Sequence, residues 1–289
     1  MLKRSNVGQW LMATTVEGVR PLEHGIRQSK LRTSEMIFLG FLAYAEVASL
    51  LFSLSNSQRA VLLAINTTAT GIILLLERRM RDSRDMGQSE SWAWWRATFG
   101  AIRDWLPCFL IILAYREAAL FSAPRPLDPL NGIFEGWDID LLGNAWVASI
   151  RSEASPWLDN YLEFTYLLCY PVVPLGFAVV FLQSRRLDAE ARERDADRFW
   201  TGVLSALVSC YALFPLFPLT TPRLLFHDVA IADSHFVLRR LNVWLLSQFA
   251  GSGGVFPSGH VAGATAVALS VWQSSRRWGA VFVVIALST

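Results

Sequence analysis

The chain has 289 residues, of which 53% are hydrophobic and only 17% charged. Soluble domains of this length carry about a quarter charged residues, and here the apolar excess falls in long runs, which excludes a soluble globular class. A formal net charge of +2, with no basic stripe interleaved with aromatic residues, argues against nucleic acid as a partner.

Residues 1–34 are polar and carry Lys3, Arg4, Arg20, Arg27, Lys30 and Arg32, as expected of a cytoplasmic tail or surface helix. A cleavable signal peptide is not expected, because the first apolar run opens only near Met36 and is long enough to span. A helix crossing a hydrocarbon core of about 30 Å needs about 20 mostly apolar residues. Runs of that kind lie at roughly 35–54, 59–76, 100–122, 162–183, 199–219 and 258–273. A seventh opens at Trp278 and reaches Thr289, so the sequence is expected to stop in mid-helix. The stretch 137–150, with Trp137, Asp138, Asp140, Leu141, Leu142, Trp146 and Val147, is too short and too polar to cross. It predicts an interfacial helix at the outer surface. Cys108, Cys169 and Cys210 fall inside apolar runs at spacings that fit no metal site, and are read as helix-packing residues. The fold expected is an all-α polytopic transmembrane helix bundle of about seven spans, the last cut short.

Basic residues set the orientation. With the N-terminus inside, the tail and the connections 77–99, 184–198 and 274–277 hold 18 lysines and arginines, whereas 55–58, 123–161 and 220–257 hold five. The loop 220–257 and the start of the next helix are therefore expected to face out. Among the ionisable residues in or near spans, Glu46 reads as deep. Arg103, Arg116, Glu117 and Glu163 lie near predicted span ends, where snorkelling accounts for them.

The chemistry-bearing segments are Tyr211 to Arg223 and, some thirty residues on, Gly254-Val-Phe-Pro-Ser-Gly-His260. Ser258 stands where a helix N-cap belongs, ahead of an apolar run. A helix start offers unpaired N–H groups and the positive end of its dipole, which favour an anion. Gly259 permits close approach to the backbone. His260 on the first turn can hold a proton beside that anion and pass it to a leaving oxygen. Arg223, following Pro222, supplies a permanent forked cation suited to phosphate oxygens. The set amounts to half of a phosphoryl-transfer site.

These residues resemble the type 2 phosphatidic acid phosphatase superfamily, whose members share a basic motif containing Arg, a Pro-Ser-Gly-His motif and a Ser-Arg…His…Asp segment. The Phe-Pro…Thr-Pro-Arg223 style of the first motif, with Asp138-Ile-Asp-Leu-Leu-Gly143 upstream, is most similar to the inositolphosphotransferase branch, such as inositol phosphorylceramide synthase. The likeness covers roughly 135–289. It divides the chain into a cytoplasmic tail (1–34), N-terminal transmembrane helices (35–135) and a phosphatase-like core lacking its C-terminal end (136–289). The resemblance implies phosphate binding by Arg223, Ser258 and Gly259, a leaving-group role for His260, and a phosphohistidine on a second histidine in the third motif. It implies no metal and no cofactor. Two departures stand out: Leu216 occupies a position where the family often has Lys, and the third motif is not found, so this chain as given is not expected to turn over.

The function expected is a membrane phosphatase or phosphotransferase acting on a phosphorylated lipid, in a bacterial inner membrane or an endomembrane, with membrane lipid as partner and the oligomeric state open. Alternatives stand beside it. The chain could be a non-catalytic head-group-binding remnant, or a transporter in which His260 merely caps a helix. His227, Asp228, Asp233 and His235 could hold zinc, or form a solvated loop. A Ser258–His260 hydrolase pair is disfavoured, because residues two apart on a helical turn diverge.

Overall fold

The structure, a computed structural model, describes residues 31–85, 90–122, 129–142, 156–220, 237–249 and 254–289. Every regular element among these residues is helical, which bears out the all-α membrane bundle. The helices are α1 (Thr33–Leu51), α2 (Asn56–Asp85), α3 (Glu90–Phe121), α4 (Pro129–Leu142), α5 (Pro156–Leu168), α6 (Val172–Ser184), α7 (Ala189–Leu213), α8 (Val237–Phe249), α9 (Gly259–Ser274) and α10 (Arg276–Ser288). Four of them, α1, α2, α3 and α7 with its short 3-10 extension to Leu216, are long and apolar enough to cross a bilayer unaided. The chain is therefore an integral membrane protein.

The expected single span over 162–183 is instead two helices, α5 and α6, bent by 67°. Pro171 is the cause: it has no N–H to donate, and inside a helix its ring would collide with the carbonyl of Leu167. It is tolerated only as the residue that caps α6. The expected spans near 258–273 and after Trp278 form α9 and α10, helices of 16 and 13 residues that pack against each other as a hairpin. The helix expected at 137–150 starts earlier, at Pro129, whose fixed φ suits a first helical position; residues 143–155 lie outside the described set.

Helix α7 is the axis of the bundle. Asp188 caps its start by accepting from the Ala191 N–H at 2.7 Å. Phe199, Trp200, Val203, Leu204 and Leu207 recur at the three- and four-residue spacing of one helical face, and all are buried. That face meets α1, α3, α6 and α9. Helix α9 answers with a stripe of small residues, Gly263, Ala264, Val267, Ala268 and Val271, which lets the backbones come close. Gly176 of α6 abuts Val267, leaving no room for a side chain.

Charged residues at the end of the bundle where α1 and α7 begin form a buried network. Arg103, only 4% exposed, forks onto Glu35, with its Nη2 donating to Oε2 at 2.6 Å, and reaches Glu193 at 3.3 Å. Arg32 pairs with Asp104 at 2.7 Å and Glu193 at 3.4 Å. The backbone N–H of Ser34 donates to Asp197 at 2.9 Å. The snorkelling expected for Arg103 is thus overturned: its buried guanidinium finds carboxylates on α1 and α7, which offset part of the cost of taking it out of water. Glu117 is corrected too. It is 2% exposed on α3, and among the described residues neither of its oxygens has a hydrogen-bond partner. Glu46, half-buried, accepts from Asn66 Nδ2 at 2.7 Å.

Candidate functional site

At the other end of the bundle, α7 stops where Pro215 enters, and a short 3-10 turn, Phe214–Leu216, closes it. The chain then continues as coil through Pro218 to Thr220. The Gly254–Ser258 segment runs against this coil. Gly254 has φ +78°, and its α-carbon faces the buried Phe214 ring closely enough that an added Cβ would lie 2.7 Å from Cδ2. Phe217 and Phe256 meet edge to face, with centroids 5.3 Å apart. The Phe256–Pro257 peptide bond is cis.

Helix α9 then begins as its sequence requires. Ser258 has extended backbone angles, and its Oγ accepts from the Val261 N–H at 3.3 Å. The Ala262 N–H bonds to the Ser258 carbonyl at 3.0 Å. The N–H groups of Gly259 and His260 precede any intrahelical acceptor, and no other acceptor takes them among the described residues. Among the described residues the Ser258 hydroxyl acts only as an acceptor, which leaves its own proton for a ligand oxygen. It is not bonded to His260 among the described residues, consistent with the divergence expected between them. Gly259 lies against Tyr211, whose Cε1 would sit 3.3 Å from a Cβ at that position, a contact tight enough that the Tyr211 ring would have to give way slightly to any larger residue.

His260 is exposed and flanked by two rings that the sequence did not connect to it: Tyr166 at 5.7 Å and Tyr170 at 5.9 Å between centroids. Tyr166 lies in the last turn of α5, and Tyr170 sits in the bend before α6. The break at Pro171 therefore has a local consequence, since it swings both tyrosines to the start of α9. Their spacing of four on a span end was the available signal. Helix α8, which precedes Gly254, is pinned to α5 by Glu163, which accepts from Arg239 Nη1 and Asn242 Nδ2, each at 2.7 Å.

Of the expected site residues, Ser258, Gly259 and His260 are thus brought to one helix start facing an aromatic surround. Arg223 lies outside the described residues, as do His227, Asp228, Asp233 and His235. Among the described residues no group of three or more His, Cys, Asp and Glu could hold a metal ion. The three cysteines are free thiols, buried or half-buried in the bundle.

Such a site can bind an anion through backbone amides, one hydroxyl and the positive end of a helix, with an imidazole beside it. Comparison with curated proteins and with solved structures found no match. Residues 139–289, more than half of the chain, match the PAP2 superfamily, and the match takes in the end of α7, the coil to Thr220 and the whole of α9. The chain belongs to the PAP2 superfamily, whose membership points to phosphatase-type chemistry.

Proposed function

We propose that the protein is a membrane phosphatase or phosphotransferase that acts on a lipid-linked phosphate, and that the start of α9 is its phosphate cradle. The observation that carries this reading is the Ser258-capped helix start, with the amides of Gly259 and His260 unpaired among the described residues and the His260 ring on the same turn. In this reading Arg223 neutralises phosphate oxygens, while Ser258 and Gly259 hold the anion. A histidine nucleophile in a Ser-Arg…His…Asp segment, which residues 1–289 do not contain, forms the N–P bond. As the P–O bond breaks, the electron pair leaves with the lipid oxygen, and His260 delivers a proton to it. Transfer from the phosphohistidine to water gives a phosphatase, and transfer to an alcohol such as inositol gives the inositolphosphotransferase-like variant that the first motif favours. The excess of basic residues in the other set of connections supports a cradle on the non-cytoplasmic face, where a head group would reach it from the outer leaflet.

The test is phosphate release from phosphatidic acid in proteoliposomes by the natural gene product. His260→Ala and Arg223→Ala should each lower turnover by about a hundredfold or more, the scale of a lost general acid or oxyanion partner. Undiminished turnover in both variants would sink the proposal. Phosphate binding that is lost in Arg223→Ala, with no turnover in the wild type, would assign the protein to head-group binding instead.

A further inference from the structure

We infer that α4 is a positioning element for the phosphate site, and that Asn131 and Phe134 hold the coil leading towards Arg223 and the turn entering α9 in one register. Neither segment has a ladder of its own. Beyond the 3-10 turn at Phe214–Leu216 the first runs as coil through Pro218 to Thr220, and Gly254 with Pro257 interrupts the second. Their positions must be fixed from outside.

Helix α4 supplies that fixing from a single face, because Asn131 and Phe134 are three residues apart. Asn131 Oδ1 accepts the backbone N–H of Thr220 at 3.0 Å, across 89 positions of sequence. Thr220 is 5% exposed, so without that acceptor its N–H would be left unsatisfied in a buried place. Phe134 sets its ring against Phe256 at 4.9 Å and Phe217 at 6.3 Å, while Phe217 and Phe256 themselves meet at 5.3 Å. Each of these pairs is T-shaped, the arrangement in which ring edges and faces attract. Three rings from three separate segments thus close a triangle. Its corners lie two residues before Ser258, three before Thr220, and on α4. A shift of α4 would move both segments together, and removal of one corner would release them from each other.

The consequence for ligand binding rests on the proposed phosphate site, whereas the register itself can be measured without it. Amide hydrogen exchange on the purified protein should show the Thr220 N–H protected in the wild type. Asn131→Ala should speed its exchange by about tenfold, the worth of one hydrogen bond, and leave α7 unchanged. Asn131→Asp, which keeps the acceptor, should restore protection. Phe134→Leu should speed exchange around Phe217 and Phe256 together. Inorganic phosphate titrated calorimetrically should bind about tenfold more weakly to Asn131→Ala. In an Arg223→Ala background the same substitution should cause no further loss. Wild-type exchange at Thr220 in Asn131→Ala overturns the inference, and so does an affinity loss that adds in full to that of Arg223→Ala. A wild-type protein that binds no phosphate instead refutes the site reading, and the exchange arm still decides the register.

Discussion

Replacing Gly254 with alanine tests how tightly the two motif-bearing segments are joined. Two independent costs apply. A non-glycine residue at φ +78° enters the left-handed region, at about 1–2 kcal/mol. The new Cβ would also lie 2.7 and 2.8 Å from Cδ2 and Cε2 of Phe214. That ring is 2% exposed and packed in the main core, so it cannot swing aside, and overpacking of this kind costs about 1–3 kcal/mol. The expected loss is their combination, about 2–5 kcal/mol. Denaturant unfolding in detergent, followed by tryptophan fluorescence, would measure it. In a Phe214→Ala background the steric share disappears, and the cost of Gly254→Ala should fall to about 1–2 kcal/mol. The reasoning fails if Gly254→Ala is neutral, or if its cost is the same in both backgrounds.

Three further outcomes follow from the packing. Arg103→Ala leaves the buried Glu35 carboxylate without its cation, and Glu193 with Arg32 alone, and should destabilise by about 3–5 kcal/mol; a lowered thermal midpoint that Glu35→Gln partly restores would support this. Gly176→Ala drives a methyl group into Val267 and should cost about 1–3 kcal/mol, recovered when Val267→Ala is added; an unchanged unfolding midpoint would contradict the close α6–α9 approach. If Tyr170 holds the His260 ring, Tyr170→Ala should reduce kcat while leaving KM for the phosphorylated lipid nearly unchanged. Tyr170→Phe should behave like the wild type, and a pure KM effect would point to substrate contact instead.

The long apolar runs that became α1, α2, α3 and α7 were legible because hydropathy over a span-length window is a local property of the chain. The Ser258 cap was legible for the same reason: a short polar residue after Pro257 and ahead of an apolar run leaves the helix few other places to start. Hydropathy does not register hydrogen-bond geometry, however, so the run 162–183 read as one span although Pro171 breaks it. Arg103, a charge near a predicted span end, was misread because its partners are far away in sequence. Arg103 meets Glu35 and Glu193, residues that lie 68 and 90 positions from it, and nothing in either neighbourhood announces the pairing. The same holds at the candidate site. Tyr166, Tyr170, Asn131 and Phe134 carry no motif, and only the folding of α4 and α5 onto the coil and the start of α9 gives them a role. Arg223, expected at the site from its place after Pro222 and one loop ahead of Ser258, lies outside the described residues.

The central claim is that the start of α9 binds a phosphate-like anion, and locating a heavy oxyanion in an experimental structure tests it most directly. Crystals grown or soaked with tungstate should show its anomalous peak within hydrogen-bond distance of the Gly259 and His260 amides and the Ser258 hydroxyl, and the peak should vanish in Arg223→Ala. A peak placed instead in the polar cavity at the opposite end, lined by Gln183, Asp195, Arg198 and Ser270, or no peak at α9, would contradict the account.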